Sequence, residues 1–350
     1  MDGVVTIGGR PVGPGAPCFV VAEAGVNHNG DLELALRLVD AAAAARADAV
    51  KFQTFRAEAV AAPSAPKAGY QLESTGAGES QLEMLRGLEL APEAYAELKR
   101  RAEERGLVFL SSPFDHESVE LLDELDVAAF KIASGEVTNT ALLADVGRRG
   151  RPVILSSGTA DVGEVEEAVA TLRAAGAREL VVLHCVSAYP APAEGANLLA
   201  MATLAERLGL PVGFSDHTEG DEVALAAAAL GACVLEKHFT LDRSLPGPDH
   251  HASLEPPELA ELVRRVRRVE AAVGDGVKRP TELERANARV VRRSLAAARD
   301  LAAGTTLDEG MLEALRPGTG IAPSRLPDVV GRRLRRDLAR GELLDPADLQ

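Results

Sequence analysis

Lysine is scarce in this chain, six residues against 32 arginines, yet two of the six interrupt runs that are otherwise apolar: Lys51 within Ala49–Phe55 and Lys131 within Ala128–Ser134. A buried ammonium group costs several kcal/mol or more unless a partner offsets its lost hydration. Two readings meet that requirement. Either the lysines form structural ion pairs with Glu23 or Glu136, or both converge on an anionic ligand. In the second case the hydroxyls of Ser112, Ser134 and Ser215 add donors, a mixed set that suits phosphate or carboxylate. His217 and His238 each close a strand-like run. Taken singly, a histidine in that position reads as a hydrogen-bonded core residue. As a pair beside Ser215, Asp216 and Glu236, the two suit a divalent transition metal such as manganese. No cysteine cluster or His-x-x-x-His helix is present, which argues against structural zinc. Asp249, in the turn Pro246-Gly-Pro-Asp-His250, either serves the turn itself or holds a ligand hydroxyl. His28, His250 and His251 read as surface or capping residues of loops, and His116 and His184 as structural.

These residues need a frame. Eight strand candidates run in order: Cys18–Val26, Ala49–Phe55, Leu107–Phe114, Ala128–Ser134, Pro152–Ser157, Leu180–Ser187, Val212–His217 and Cys233–Thr240. Helical periods separate them at Asp31–Ala47, Pro92–Arg105, Glu117–Leu125, Val162–Ala175, Leu198–Leu208 and Asp221–Leu230, and another follows at Pro257–Val273. Eight such units in about 250 residues predict an α/β fold, a (β/α)8 TIM barrel, whose active site lies at the C-terminal strand ends. A doubly wound sheet is the alternative, but the Gly-rich phosphate fingerprint it would carry after the first strand is missing. Glu23, Ser112, Ser134, Ser187, Tyr189, Ser215, His217, Glu236 and His238 fall toward or just past predicted strand ends, and Lys51, Gln53 and Lys131 lie within their strands. Lys51 and Gln53, two apart, share one side of their strand. The connection from Arg56 to Leu90 is long enough to cover a catalytic face. Val4–Ile7, Gly8-Gly9 and Arg10–Val12 predict a small hairpin ahead of the barrel.

The barrel domain is expected over 1–276, with a charged linker of some helical character over 277–289 and a small C-terminal domain over 290–350. A net charge of −15 and 3% aromatic content argue against a nucleic-acid partner. No signal peptide and no stretch long enough to span a bilayer are legible. Cys18, Cys185 and Cys233 lie in apolar runs and read as buried free thiols of a reducing, cytoplasmic compartment.

The ordered segments also resemble a known family. They are Ala22-Glu23-Ala-Gly-Val-Asn27-His28-Asn29-Gly30, Val50-Lys51-Phe-Gln53-Thr54, Ser112-Pro-Phe114 and Phe130-Lys131-Ile-Ala-Ser134-Gly-Glu136. Further on come His184-Cys185-Val-Ser187-Ala-Tyr189-Pro190, Phe214-Ser215-Asp216-His217-Thr218, Glu236-Lys237-His238-Phe239-Thr240 and Pro246-Gly-Pro-Asp249-His250. Along nearly its whole length the chain resembles the N-acetylneuraminate (sialic acid) synthases. Its tail, with Arg292-Arg293-Ser294-Leu295 and Arg316-Pro-Gly318-Thr-Gly320-Ile, resembles their antifreeze-like (SAF) domain. The resemblance implies an enzyme that condenses phosphoenolpyruvate with N-acetylmannosamine or a close relative, giving a nine-carbon acid sugar and phosphate. It implies a domain-swapped homodimer and a divalent metal, manganese before magnesium or cobalt, on His217 and His238.

Lys51, Ser112, Lys131, Ser134, Ser187 and Ser215 would then bind phosphoenolpyruvate, and Gln53, Glu136, Tyr189, Asp249 and the partner subunit's Arg316 would bind the sugar. Glu23 and Glu236 would activate water. Ser187 departs from the Asn of many bacterial members, and Ala133 from a common Gly. The Pro-Gly-Pro-Asp-His run is closer to sialic and legionaminic than to pseudaminic acid synthases. Two alternatives stand beside this reading. One is another phosphoenolpyruvate-dependent synthase, of the legionaminic or the eight-carbon type. The other is a non-catalytic binding protein that uses the antifreeze-like domain.

Overall fold

The computed structural model describes residues 3–350, which divide into two compact units, one ending at Gly274 and the other spanning Asp275–Gln350. The first unit opens with an antiparallel hairpin, β1 (Val5–Ile7) and β2 (Arg10–Val12). Its turn, Gly8-Gly9, has positive φ at both positions (56° and 78°), the conformation that a tight two-residue hairpin requires. Eight parallel strands follow: β3 (Phe19–Gly25), β4 (Ala49–Thr54), β5 (Val108–Pro113), β6 (Phe130–Ile132), β7 (Val153–Ser156), β8 (Leu180–Cys185), β9 (Val212–Asp216) and β10 (Val234–His238). β10 pairs with β3 and closes the barrel.

The sequence pattern explains both faces of the wall, because side chains alternate along a strand. Val20, Ala22, Val50 and Phe52 belong to a core shared with the surrounding helices. Phe19, Val21, Ala49, Val108, Leu110 and Ile154 form a separate apolar cluster with Val5, Ile7 and Val12 of the hairpin. The hairpin therefore packs against the strand starts, which leaves the opposite end of the barrel for polar groups. No helix among the described residues is long and apolar enough to cross a membrane.

A helix at Thr140–Arg148 is absent from those expected above. Gly147 weakens its helical signal. The packing shows why glycine stands there: a Cβ would come within 2.7 Å of Ala175 Cβ and 2.8 Å of Leu172 O in the neighbouring helix, Val162–Ala175.

Most of the stretch expected as a linker is helical. Thr281 caps the helix Glu282–Val291 by accepting from Glu284 N, and this helix groups with the second unit. That unit pairs β11 (Ser294–Ala297) with β12 (Leu312–Leu315), around a core that includes Leu295, Leu301, Leu307, Leu334, Leu338 and Leu344.

Candidate functional site

The inward positions that are apolar at the strand starts become ionic at the strand ends. Glu23 (β3), Lys51 (β4), Lys131 (β6) and Glu236 (β10), all almost wholly buried, line one cavity of about 270 Å³. Lys51 Nζ lies 2.9 Å from Glu23 Oε2 and 3.8 Å from Glu236 Oε2. Lys131 Nζ lies 3.4 Å from Glu236 Oε1. Lys51 donates to Ser112 Oγ at 3.1 Å, and Ser215 Oγ donates to Glu236 Oε1 at 3.0 Å. Glu23 therefore pairs with Lys51 as the sequence allows, whereas the second carboxylate is Glu236 rather than Glu136. Glu136 is half-buried outside the cavity lining and accepts from Asn139 Nδ2 at 2.7 Å.

The four groups do not titrate alike. Burial pushes Glu23 up to about 7, against the pull of Lys51 and with reinforcement from Glu236. Burial acts on Glu236 in the same sense, but Lys131 and Lys51 outweigh it and hold that carboxyl near 2. Burial lowers Lys131, and Glu236 only partly offsets it. Lys51 is raised, because Glu23 and Glu236 together outweigh its desolvation. Opposed shifts among neighbouring buried groups in a cavity are a mark of functional sites.

His217 and His238 face the same cavity with ring centroids 5.3 Å apart. His217 Nδ1 lies 2.8 Å from Val186 O. A carbonyl only accepts, so Nδ1 carries a proton, and in the neutral ring Nε2 keeps a free lone pair. Buried His238 Nδ1 has no hydrogen-bond partner, its nearest carboxylate being Asp249 Oδ2 at 3.9 Å. Two imidazole nitrogens with open lone pairs fit a divalent ion. No cluster of three or more His, Cys, Asp or Glu residues suited to a metal occurs among the described residues, so water or substrate would complete its coordination. Asp249, pushed up to about 6 by burial, and Tyr189, 4.2 Å from His217 ring to ring, line the same space.

Gln53, Ser112, Ser134, Ser187 and Ser215 complete the predicted set in the cavity. Arg316 belongs to the second unit, where it is exposed. The structure adds residues that the sequence reading left out. Ser156, last in β7, is buried with an unpartnered Oγ. Its place two residues past Ile154, on the inward side of β7, is the signal that could have found it. Cys185, expected only as a buried thiol, lines the cavity with Sγ 3.6 Å from Ser134 Oγ and 3.7 Å from His217 Nδ1. Gly158 donates its N–H to Ser134 Oγ at 2.9 Å. A Cβ there would stand 2.3 Å from Ser187 Oγ, so glycine makes room for this cluster. Tyr70, Gln71 and Gln81 reach in from the long connection after β4.

Two histidines expected on the surface or as caps are in fact interior. His28 Nδ1 accepts from Gly30 N at 3.0 Å, and His250 bridges Thr240 Oγ1 (2.7 Å) and Asn29 Oδ1 (3.1 Å). His250 thereby joins the loop after β10 to the loop after β3, and His28 braces the turn of its own loop.

A TIM barrel with paired lysines, convergent hydroxyls and two imidazoles at its C-terminal mouth has the groups that a small anionic ligand requires. Comparison with known proteins takes this further. The NeuB family model matches residues 38–278 and the SAF domain model residues 292–350. The chain is 46% identical over 328 residues to N,N'-diacetyllegionaminic acid synthase of Campylobacter jejuni, covering 93% of this chain and 98% of that one. It is 37% identical over 334 residues to human N-acetylneuraminate-9-phosphate synthase, covering 93% and 91%. The crystal structure of the sialic acid synthetase of Leptospira borgpetersenii superposes with a TM-score of 0.72 at 36% identity, covering 82% of this chain and 96% of that one. The chain belongs to the NeuB family, and it is an acid-sugar synthase with a C-terminal SAF domain.

Proposed function

We propose that this enzyme condenses phosphoenolpyruvate with an open-chain N-acetylmannosamine-type sugar and water, giving a nine-carbon acid sugar and inorganic phosphate. The observation that carries the reading is the convergence of Lys51, Lys131, Ser112, Ser134, Ser187, Ser215, His217 and His238 on one cavity. Lys51 and Lys131, with Ser112, Ser134, Ser187 and Ser215, bind the phosphate and carboxylate of phosphoenolpyruvate. They hold the phosphate as its charge redistributes, the electrostatic contribution that usually dominates.

C3 of phosphoenolpyruvate forms the new bond to the aldehyde carbon, water adds to C2, and the C2–O bond breaks to release phosphate. Glu23 and Glu236 are the groups able to take the proton from that water. Gln53, Tyr189 and Asp249 orient the sugar. His217 and His238 would hold the divalent ion, with manganese the native metal, and when bound it supplies Lewis-acid polarisation of the aldehyde. The working form is a cytoplasmic homodimer in which the partner's Arg316 reaches the sugar's acetamido end.

Phosphate release from phosphoenolpyruvate with manganese, screened across N-acylated mannosamines, tests the reaction. A sugar-dependent burst of phosphate is expected. Release that does not depend on any sugar, or none at all, overturns it.

A further inference from the structure

The turn Asn27-His28-Asn29-Gly30 after β3 takes no part in the cavity lining, yet Asn27 is 1% exposed and both of its amide hydrogens are engaged. Nδ2 donates to Phe239 O at 2.8 Å and to Ser253 Oγ at 2.9 Å. The partners fix these directions. A carbonyl only accepts, so the nitrogen of the amide and not its oxygen must face Phe239. The Ser253 hydroxyl gives its one hydrogen to Asp249 O at 2.6 Å, so it accepts from Asn27.

Both ends of this relay stop one step short of a site residue. Phe239 follows His238, the last residue of β10, and its N–H donates to Glu23 O at 2.9 Å. Asp249 places its carboxylate in the cavity, 3.9 Å from His238 Nδ1. Between these two side chains the backbone leaves the barrel wall and returns through residues 240–248. The bond from Leu254 N to His238 O, 2.9 Å, closes only the base of that loop. Asn27 supplies the cross-link, holding the chain just past His238 and, through Ser253, the backbone of Asp249. Its Oδ1 is buried without a partner. A side chain present only to fill space would not leave a buried acceptor unmade, whereas one required for its two donors does so.

We propose that Asn27 and Ser253 are positioning residues, an amide–hydroxyl relay that holds the Asp249 carboxylate at its distance from the His238 imidazole. The proposal rests on the roles given above to His238 and Asp249 and extends them to what keeps the pair in place. Loss of the Ser253 hydroxyl frees the Asp249 end of the relay. Loss of the Asn27 amide frees both ends. Misplacing an orienting group by about 1 Å costs about 100-fold in rate, and outer-shell partners of metal ligands are worth about 10- to 100-fold in metal affinity.

The test compares Ser253→Ala, Asn27→Ala and the double variant with the whole wild-type protein. Phosphate release is measured with manganese, phosphoenolpyruvate and either N-acetylmannosamine or 2,4-diacetamido-2,4,6-trideoxymannose, whichever the wild type turns over faster. At saturating manganese, Ser253→Ala should raise KM for the sugar about 10-fold, the worth of one hydrogen bond. Its kcat and its KM for phosphoenolpyruvate should hold. Manganese binding without substrates, read by electron paramagnetic resonance of the free ion, should be unaltered in Ser253→Ala and at least about 10-fold weaker in Asn27→Ala. The double variant should lose less sugar affinity than the product of the two single losses, because both substitutions cut one chain of bonds.

A Ser253→Ala protein with a lower denaturation midpoint and an unaltered sugar KM overturns the relay, since that is the profile of a merely structural hydroxyl. A fully additive double variant overturns it as well. Should Asn27→Ala fail to fold, Ser253→Ala decides by itself. Wild-type protein that releases no phosphate in response to either sugar overturns the proposed reaction, and with it the roles that the relay serves.

Discussion

Two buried lysine–carboxylate groupings meet at β10, where Glu236 of one stands next to Lys237 of the other, and they behave differently. Inside the barrel are Lys51 and Lys131 with Glu23 and Glu236. In the wall, Lys237 pairs with Asp216 at 2.8 Å, donates to Thr218 O, and is equally buried. Asp216 Oδ1 accepts from Thr218 N at 2.9 Å and from Thr218 Oγ1 at 2.8 Å. The wall pair is closed, one cation to one anion with both also bonded to Thr218, and it does not line the cavity at the strand ends. The interior grouping is open: its members titrate in opposed directions, the buried Ser156 Oγ close by has no hydrogen-bond partner, and a cavity lies against them. Buried charge by itself marks nothing. Buried charge that is incompletely neutralised beside space for a ligand marks a site.

That contrast can be broken most decisively at the imidazoles. His217→Ala should abolish metal-dependent turnover while the far-ultraviolet circular dichroism and unfolding midpoint stay near wild type. Unchanged metal titration in that variant would sink the ligand assignment. Next, Lys131→Met should cut phosphate release by about 100- to 1000-fold, the usual range for losing one preorganised electrostatic group. The loss should appear in the use of phosphoenolpyruvate, and a defect confined to sugar affinity would contradict the anion role.

The wall pair predicts the reverse profile. Lys237→Met leaves Asp216 buried and unpaired, at a cost of about 3–5 kcal/mol of stability. Chemical denaturation should show it as a lower midpoint, with kcat per folded molecule nearly retained. A variant that is stable but inactive would erase the distinction between the two groupings.

The smallest effect concerns the interior histidines His28 and His250. Burial lowers both to about 4, with the charge of His250 adding to the shift of His28. A base depressed in the fold binds fewer protons there than in the unfolded chain. Its stabilising contribution is therefore complete above about pH 6.5 and lost as pH falls toward 4. Denaturant midpoints measured across that window should fall, and His250→Gln should flatten part of the fall. Identical pH slopes in the two proteins would show that His250 does not titrate with folding.

Much of this was legible in the residues. The eight strands fall within a few residues of their expected places, because apolar runs with polar ends are what a barrel wall requires. Lys51 and Lys131 stood out because the chain otherwise uses arginine. The helix Thr140–Arg148 escaped because its glycine serves close packing against another helix, a need that lies outside its own sequence. The interior placement of His28 and His250 depends on two loops that meet only when the barrel closes.

By itself, then, the sequence determined which positions carry charge along each strand and how far apart they stand, since alternation and propensity are local properties of the chain. The tertiary structure decided which of two neighbours faces inward, Glu236 rather than Lys237, and which carboxylate completes the lysine pair. β10 meets β3 across more than 200 residues of chain to close the wall. Only that closure sets Glu236 beside Lys51 and Lys131 in a space where water no longer screens them.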